Sequence, residues 1–138
     1  MSQENVELVR RILTEFGETL QPVSDLTSPD VILNTGSWTV WTGPSEYRGT
    51  DGFMQFFGEW IAAYDDWEQE VEEIVDLGKG VTLAVSVQRG RPTGSSGEVQ
   101  IRFASILLCE DGSIVWMKNY NEIDENCAAA ERLAEERG

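Results

Sequence analysis

At 138 residues, 41% hydrophobic and 25% charged, the chain has the size and make-up of one globular domain, long enough to bury about two-thirds of its unfolded surface. Its formal net charge of −15 comes from acids spread along the whole length, which reads as solubility and argues against nucleic-acid phosphates and anionic membranes as partners. There is no histidine, so Ser-His-Asp and Cys-His catalysis, imidazole-held zinc and histidine general bases are excluded, and any proton chemistry rests on Asp, Glu, Tyr, Lys or Arg.

The opening Met-Ser-Gln-Glu-Asn has neither the positive nor the apolar region of a secretory signal. No apolar run approaches the ~20 residues that span a bilayer. Cys109 and Cys127 read as free thiols in a reducing compartment, so the expected location is the cytoplasm. Ser2 can cap a first helix, with Glu4 and Glu7 near its positive end, and Val9, Ile12, Leu13, Phe16 and Leu20 recur at helical spacing. Pro22 starts a short helical turn to Leu26 that Ser28-Pro29-Asp30 breaks. Residues 31–34 read as a short strand, and residues 35–49, with their glycines and Pro44, as a loop carrying Trp38, Trp41 and Tyr47 as possible lid residues.

Thr50 or Asp51 is expected to cap the next helix, whose apolar side holds Phe53, Phe56, Phe57, Trp60, Ile61 and Tyr64. The period then switches to two: Trp67, Gln69 and Val71 alternate with Glu68, Glu70 and Glu72 in a strand with one wet face. Gly78-Lys79-Gly80 turns the chain into a strand over residues 81–88, and residues 92–97 form a connection. A strand over residues 99–109, an Asp111-Gly112 hairpin turn and a last strand over residues 114–123 follow. A short helix from about Asp124 places Cys127 and Leu133 inward. Strands gathered after helices predict an α+β fold, with helices covering one face of an antiparallel sheet.

The glutamate row on the first long strand spaces its carboxylates roughly 7 Å apart and reads as a solvated face. A calcium site would need a further ligand or an Asp-Gly loop, which the sequence does not supply there. The glycine-rich stretch at residues 90–97 lacks a Walker-type lysine and a following helix, so it is not a phosphate cradle. No cofactor and no metal site is expected.

The chain resembles the nuclear transport factor 2-like superfamily, and its small bacterial SnoaL-like members in particular. The residues that carry the resemblance are Asn5-Val6-Glu7-Leu8-Val9-Arg10-Arg11, Ser28-Pro29-Asp30-Val31, Tyr47-Arg48-Gly49 with Gly52-Phe53, Arg102-Phe103-Ala104, Asp111-Gly112-Ser113-Ile114 and Tyr120. It runs nearly end to end, so residues 1–138 are taken as one SnoaL-like domain. It implies a cone-shaped, curved antiparallel sheet wrapped around long N-terminal helices (a cystatin-like arrangement) with a short C-terminal helix. It also implies a pocket inside the cone and a homodimer through the outer sheet face.

The superfamily holds isomerases, cyclases, dehydratases, epoxide hydrolases and binding proteins, so fold alone does not select function. Scytalone dehydratase chemistry needs histidine and is excluded. A ketosteroid isomerase needs an aspartate base and two oxyanion donors, a case the general chemistry of raised carboxyl pKa values describes well. Here the base position falls at Thr35, beside Asn34, and the donor positions at Ile12 and Ala104, none of which can do that work. Limonene-type epoxide hydrolases use an Asp-Arg-Asp set; Arg102 matches the arginine, while Ala104 and Asn119 stand where the acids are expected. Asp65 and Asp66 are the acid pair nearest a pocket rim for a cyclase, and adjacent acids there also read as a turn.

The expected pocket wall is Trp60 and Tyr64, with Thr35, Arg102 and Asn119 as inward polar groups and Met117 beside them. Arg102 meets either an anionic ligand or a structural carboxylate, because an unpaired buried charge is costly. Phe103, Ser105, Leu107, Trp116, Lys118 and Tyr120 are expected on the opposite, dimer-forming face. The reading favours a small, mostly apolar organic ligand in the cone. An enzyme of the isomerase, polyketide cyclase or epoxide hydrolase type, using an Asp or Glu not yet placed, is the alternative; a non-catalytic dimeric scaffold is the second. None of these involves nucleic acid or membrane.

Overall fold

The first helix, α1 (Ser2–Thr19), forms over the predicted stripe: Val9, Ile12 and Leu13 are buried while Arg10, Arg11 and Thr14 stay in water. The structure is a computed structural model and describes residues 2–19, 27–37 and 45–137. The expected turn at residues 22–26 and the tryptophans Trp38 and Trp41 lie outside the described residues, as do Leu20 and the side chain of Phe16.

Strand β1 (Thr27–Ser37) is eleven residues long and runs straight through the Ser28-Pro29-Asp30 stretch. Proline tolerates this place because the pairing of β1 with its neighbour is interrupted between Thr27 and Ile32, so the missing N–H breaks no ladder bond there. Strand β2 (Glu46–Arg48) pairs antiparallel with β1 and buries Tyr47. The Tyr47 hydroxyl donates to Glu59 Oε1 at 2.8 Å and its ring meets Phe56 edge-on at 5.5 Å, so it is an anchor of the fold and not a lid.

Helix α2 (Gly49–Ala62) buries Phe53, Phe56, Phe57 and Trp60, the spacing of one helical face. Its N-cap is Arg48, with no side-chain cap; Thr50 and Asp51 sit inside the first turn, where the Asp51 charge still favours the helix dipole. Strands β3 (Tyr64–Gly78), β4 (Val81–Pro92), β5 (Val99–Glu110) and β6 (Ser113–Tyr120) follow, and helix α3 (Ile123–Arg137) closes the described chain. β6 ends three residues earlier than expected, and α3 is a full 15-residue helix instead of a short one.

Two turns fix the hairpins. In Gly78-Lys79-Gly80 all three residues have positive φ, and a Cβ on Gly80 would lie 2.5 Å from the Cys109 carbonyl oxygen, so only glycine fits. Asp111 (φ 51°) and Gly112 (φ 78°) supply the left-handed pair of a two-residue hairpin turn.

The six strands form one curved, unclosed sheet in the order β2-β1-β6-β5-β4-β3. It is mixed and not purely antiparallel: β1 runs parallel to β6. Register shifts along β3 are the bulges that bend this long edge strand. Helices α1 and α2 pack on one face, here the inner, and α3 packs on the other. Each face therefore has its own core. The inner one joins Val9, Ile12, Val31, Leu33, Phe56 and Phe103 among others. The outer one joins Val81, Leu83, Val85, Ile106 and Tyr120 to Ala130 and Leu133 of α3.

This two-sided coverage corrects the expected faces of β5. Phe103 and Leu107 belong to the inner core, with Ser105 between them on the same side, whereas Ala104 and Ile106 pack under α3. The side chain of Arg102 follows the parity of Ala104 and points outward.

Candidate functional site

The inner face can be read row by row, since residues directly opposite in neighbouring strands share a side. Gln69 on β3 stands opposite Gln88 on β4, and Gln88 opposite Ile101 on β5. One row on come Val71, Ser86 and Phe103, then Ala84, Ser105 and Asn119. The row after that is Asp76, Thr82, Leu107, Met117 and Leu33.

Gln88, Asn119, Thr82, Ser86 and Ser105 are buried inside this greasy shell, Gln88 and Asn119 at 0% exposure, while Gln69 and Asp76 are half-buried. Ser105 Oγ donates to Asn119 Oδ1 at 2.7 Å, which leaves the Asn119 amino group without a partner. Among the described residues neither amide atom of Gln88 has a hydrogen-bond partner, and Gln69 Nε2 has none. Leaving a buried polar group unpaired costs about 1–3 kcal/mol each, so such a cluster is unusual in a filled core.

Aromatic rings frame the Gln69–Gln88 end. Trp60 meets Trp67 at 5.3 Å and Phe103 at 5.4 Å, both edge-on, and it also touches Phe56 and Phe57. Tyr64 lies over Gly90, where a Cβ would come within 3.2 Å of Tyr64 Cβ, so the glycine makes room for the ring.

Of the residues singled out from sequence, Trp60 and Met117 belong to the inner core, Tyr64 packs half-buried against it, and Asn119 lies on its face. Thr35 is buried two residues beyond Leu33, which stands opposite Met117. Trp60 and Met117 share one core cluster, with Tyr64 packed against it. Within the inner face Trp60 touches Trp67 of β3 and Phe103 of β5, while Met117 and Asn119 lie on β6 and Thr35 on β1. Arg102 departs from its expected inward place: it lies on the outer face, its side chain 56% exposed, with Nε 2.6 Å from Glu72 Oε1. The structural carboxylate is thus the partner it meets.

Sequence reasoning did not single out Gln88, Ser86 or Gln69. The signal was present in the alternation of Thr82, Ala84, Ser86 and Gln88 along β4, and in Gln69 between Trp67 and Val71 on the dry side of β3.

Charged groups near this end stay outside. Glu70 pairs with Arg89 at 3.4 Å, Glu72 with Arg102, and Asp66 with Arg91. Asp65 and Asp66 are exposed near the start of β3, and Asp66 has φ 53° at the register shift between Asp65 and Glu68, so the acid pair marks a bulge in the strand. Ala104 lies under α3 and Ile12 in the inner core, so neither ketosteroid-isomerase donor position offers a donor. Asp76 stands on the inner register at the far end of β3, where Oδ1 accepts from Gly78 N at 2.6 Å and Oδ2 has no partner among the described residues.

Burial pushes the Cys109 thiol up to about 11, with the Asp76 charge adding to the rise and a Thr82 hydrogen bond opposing it. Burial, then the charges of Asp124, Glu131 and Glu73, also raises Cys127. Both remain thiols at neutral pH and neither is an activated nucleophile. Among the described residues no three His, Cys, Asp or Glu side chains converge as a metal site, and no helix is long and apolar enough to cross a membrane.

No curated protein sequence matches this one. Solved structures of the same fold do. TerC, co-crystallised with polyporic acid, is 12% identical, covers 93% of this chain and 98% of its own, and superposes with a TM-score of 0.73. A candidate SnoaL-like polyketide cyclase from Jannaschia sp. CCS1 is 16% identical over 94% and 93% of the two chains, with a TM-score of 0.70. An LEH-like epoxide hydrolase from M. tuberculosis is 15% identical over 95% and 92%, with a TM-score of 0.66. These likenesses establish the fold. The sequence pattern of the SnoaL-like domain matches residues 9–117, from the buried stripe of α1 to the middle of β6, and the chain belongs to that family.

Proposed function

We propose that the chain binds a small, mostly apolar organic molecule between the inner sheet face and helix α2. The observation that carries this reading is the wall of Trp60, Trp67 and Phe103 beside buried amides that no group among the described residues satisfies, the make-up of a small-molecule site. TerC, a neighbour in fold, has been co-crystallised with polyporic acid, which supports a small-molecule ligand. Saturable quenching of tryptophan fluorescence by a panel of bicyclic aromatic compounds tests the reading. It should be lost in Trp60→Ala, and a panel with no saturable binder defeats it.

The alternative of an isomerase, polyketide cyclase or epoxide hydrolase has one specific support, the Asp76 carboxylate on the inner register with an unpartnered oxygen. Against it, Asp76 is held by the Gly78 turn and lies some 20 Å along β3 from Gln69 at the usual rise per residue. The proposal extends to a homodimer through the outer sheet face, where Ile32, Leu108, Val115, Trp116 and Leu133 line an apolar hollow of about 370 Å³. The free thiols Cys109 and Cys127 support a cytoplasmic setting.

A further inference from the structure

From the Gln69–Gln88 pair we infer the chemical class of the ligand: an uncharged, flat ring compound that carries a carbonyl next to an N–H or O–H, such as a lactam, an imide or an ortho-hydroxy ketone. This rests on the reading of the inner face as a ligand site and goes further by saying what the ligand must offer.

The argument begins with supply and demand. A glutamine amide presents one acceptor and one two-proton donor side by side in a plane. Gln88 is fully buried and both halves of its amide are unmet among the described residues, so it asks for a donor and an acceptor at once. Gln69, directly across from it, has an unmet amino group and asks for a second acceptor. A group with a carbonyl and an adjacent N–H or O–H answers Gln88 in two parallel hydrogen bonds, the same planar geometry by which Gln reads an adenine edge. A second lone pair on that carbonyl, or a second carbonyl, answers Gln69.

Charge settles the rest. A carboxylate would leave the Gln88 carbonyl facing negative charge, and the described cations of β4 and β5 are already paired. Arg89, Arg91 and Arg102 are all engaged by carboxylates, Glu70, Asp66 and Glu72 in turn, with Arg89 and Arg102 on the outer side of the sheet. An ammonium would meet two amino groups. A neutral group alone is matched. Flatness follows from the walls: Trp60, Trp67 and Phe103 hold one another edge-to-face, so the surface beside the amides is built of ring planes and edges.

Calorimetry with three related probes tests this: 2-quinolone, which carries the lactam; quinoline, which keeps the rings and loses the pair; and quinoline-2-carboxylate, which replaces it with an anion. In the wild-type chain 2-quinolone should bind at least about tenfold more tightly than either of the others, since a site built to hydrogen-bond rejects analogues that leave its groups unmet. In Gln88→Leu that preference should fall to within about threefold, and in Gln69→Leu it should weaken by less, one hydrogen bond being lost where Gln88 loses two. Thermal melts show whether each variant folds; Gln88→Leu should melt no lower than the wild type.

Equal binding of quinoline and 2-quinolone overturns the inferred class and leaves the ligand site standing. Preference for the carboxylate overturns it too, in favour of an acid. A 2-quinolone preference that survives both substitutions removes the glutamines from recognition. Failure of all three probes to bind up to roughly 1 mM, an affinity worth about 4 kcal/mol, overturns the inference and the site together.

Discussion

The two faces of the sheet solve the same burial problem in opposite ways. Outside, α3 lays Ala130 and Leu133 onto Val81, Leu83, Val85 and Ile106, and the charges at its margin are matched: Glu72 with Arg102, Glu70 with Arg89, Glu110 with Arg137. Its one unmet buried amide is Asn126 of α3, among the described residues. Inside, α1 brings aliphatic and α2 aromatic side chains, and the strands answer with Gln69, Gln88 and Asn119, whose amide groups are largely unmet among the described residues. A surface optimised only for stability would carry leucine at Gln88. The difference leaves the inner face, among the described residues, with most of the unmet buried amides.

Three substitutions sharpen that contrast. Trp60→Ala should have the largest effect, since the ring is 3% exposed and touches four aromatic neighbours. A loss of about 3–5 kcal/mol in urea unfolding is expected. Gln88→Leu should act in the other direction, stabilising the ligand-free chain by about 1–2 kcal/mol because it removes two unmet polar atoms at similar volume. A loss of stability there would mean that Gln88 belongs to the core after all, and the contrast between the faces would fail. Arg102→Ala should change stability by less than about 1 kcal/mol, as befits an ion pair that is more than half exposed on the arginine side, and should leave affinity for any inner-face ligand unchanged in calorimetry.

The periodicity of the sequence carried much of this. Phe53, Phe56, Phe57 and Trp60 declare the buried side of α2, and Trp67, Gln69 and Val71 against Glu68 and Glu70 declare the sides of β3, because each element has one wet side to set the phase. β4 and β5 have no wet side along most of their length: residues 81–88 are buried at every position. With α3 read as a short terminal piece, nothing in Phe103-Ala104-Ser105-Ile106-Leu107 says which alternate set faces in. On sequence alone Arg102 therefore reads as inward and Gln88 does not stand out. β1 was read too short for a related reason, since Pro29 looks like a break until the interruption in pairing beside it is known. The inward packing of Trp60 and Tyr64 is legible in the sequence; the unmet amides are not, because an unmet amide is a fact about three dimensions.

The parallel pairing of β1 with β6 has a bearing on how the chain comes into being. Ile32 must find Trp116, about 80 residues further along, so the middle of the sheet is completed by a contact of long sequence separation. On the ribosome, α2 with its four buried aromatics is made well before β5 and β6 exist to cover them. The nascent chain thus carries a sticky helix through much of its synthesis, and the surplus of acids along its length is well placed to keep neighbouring copies apart until the last hairpin arrives.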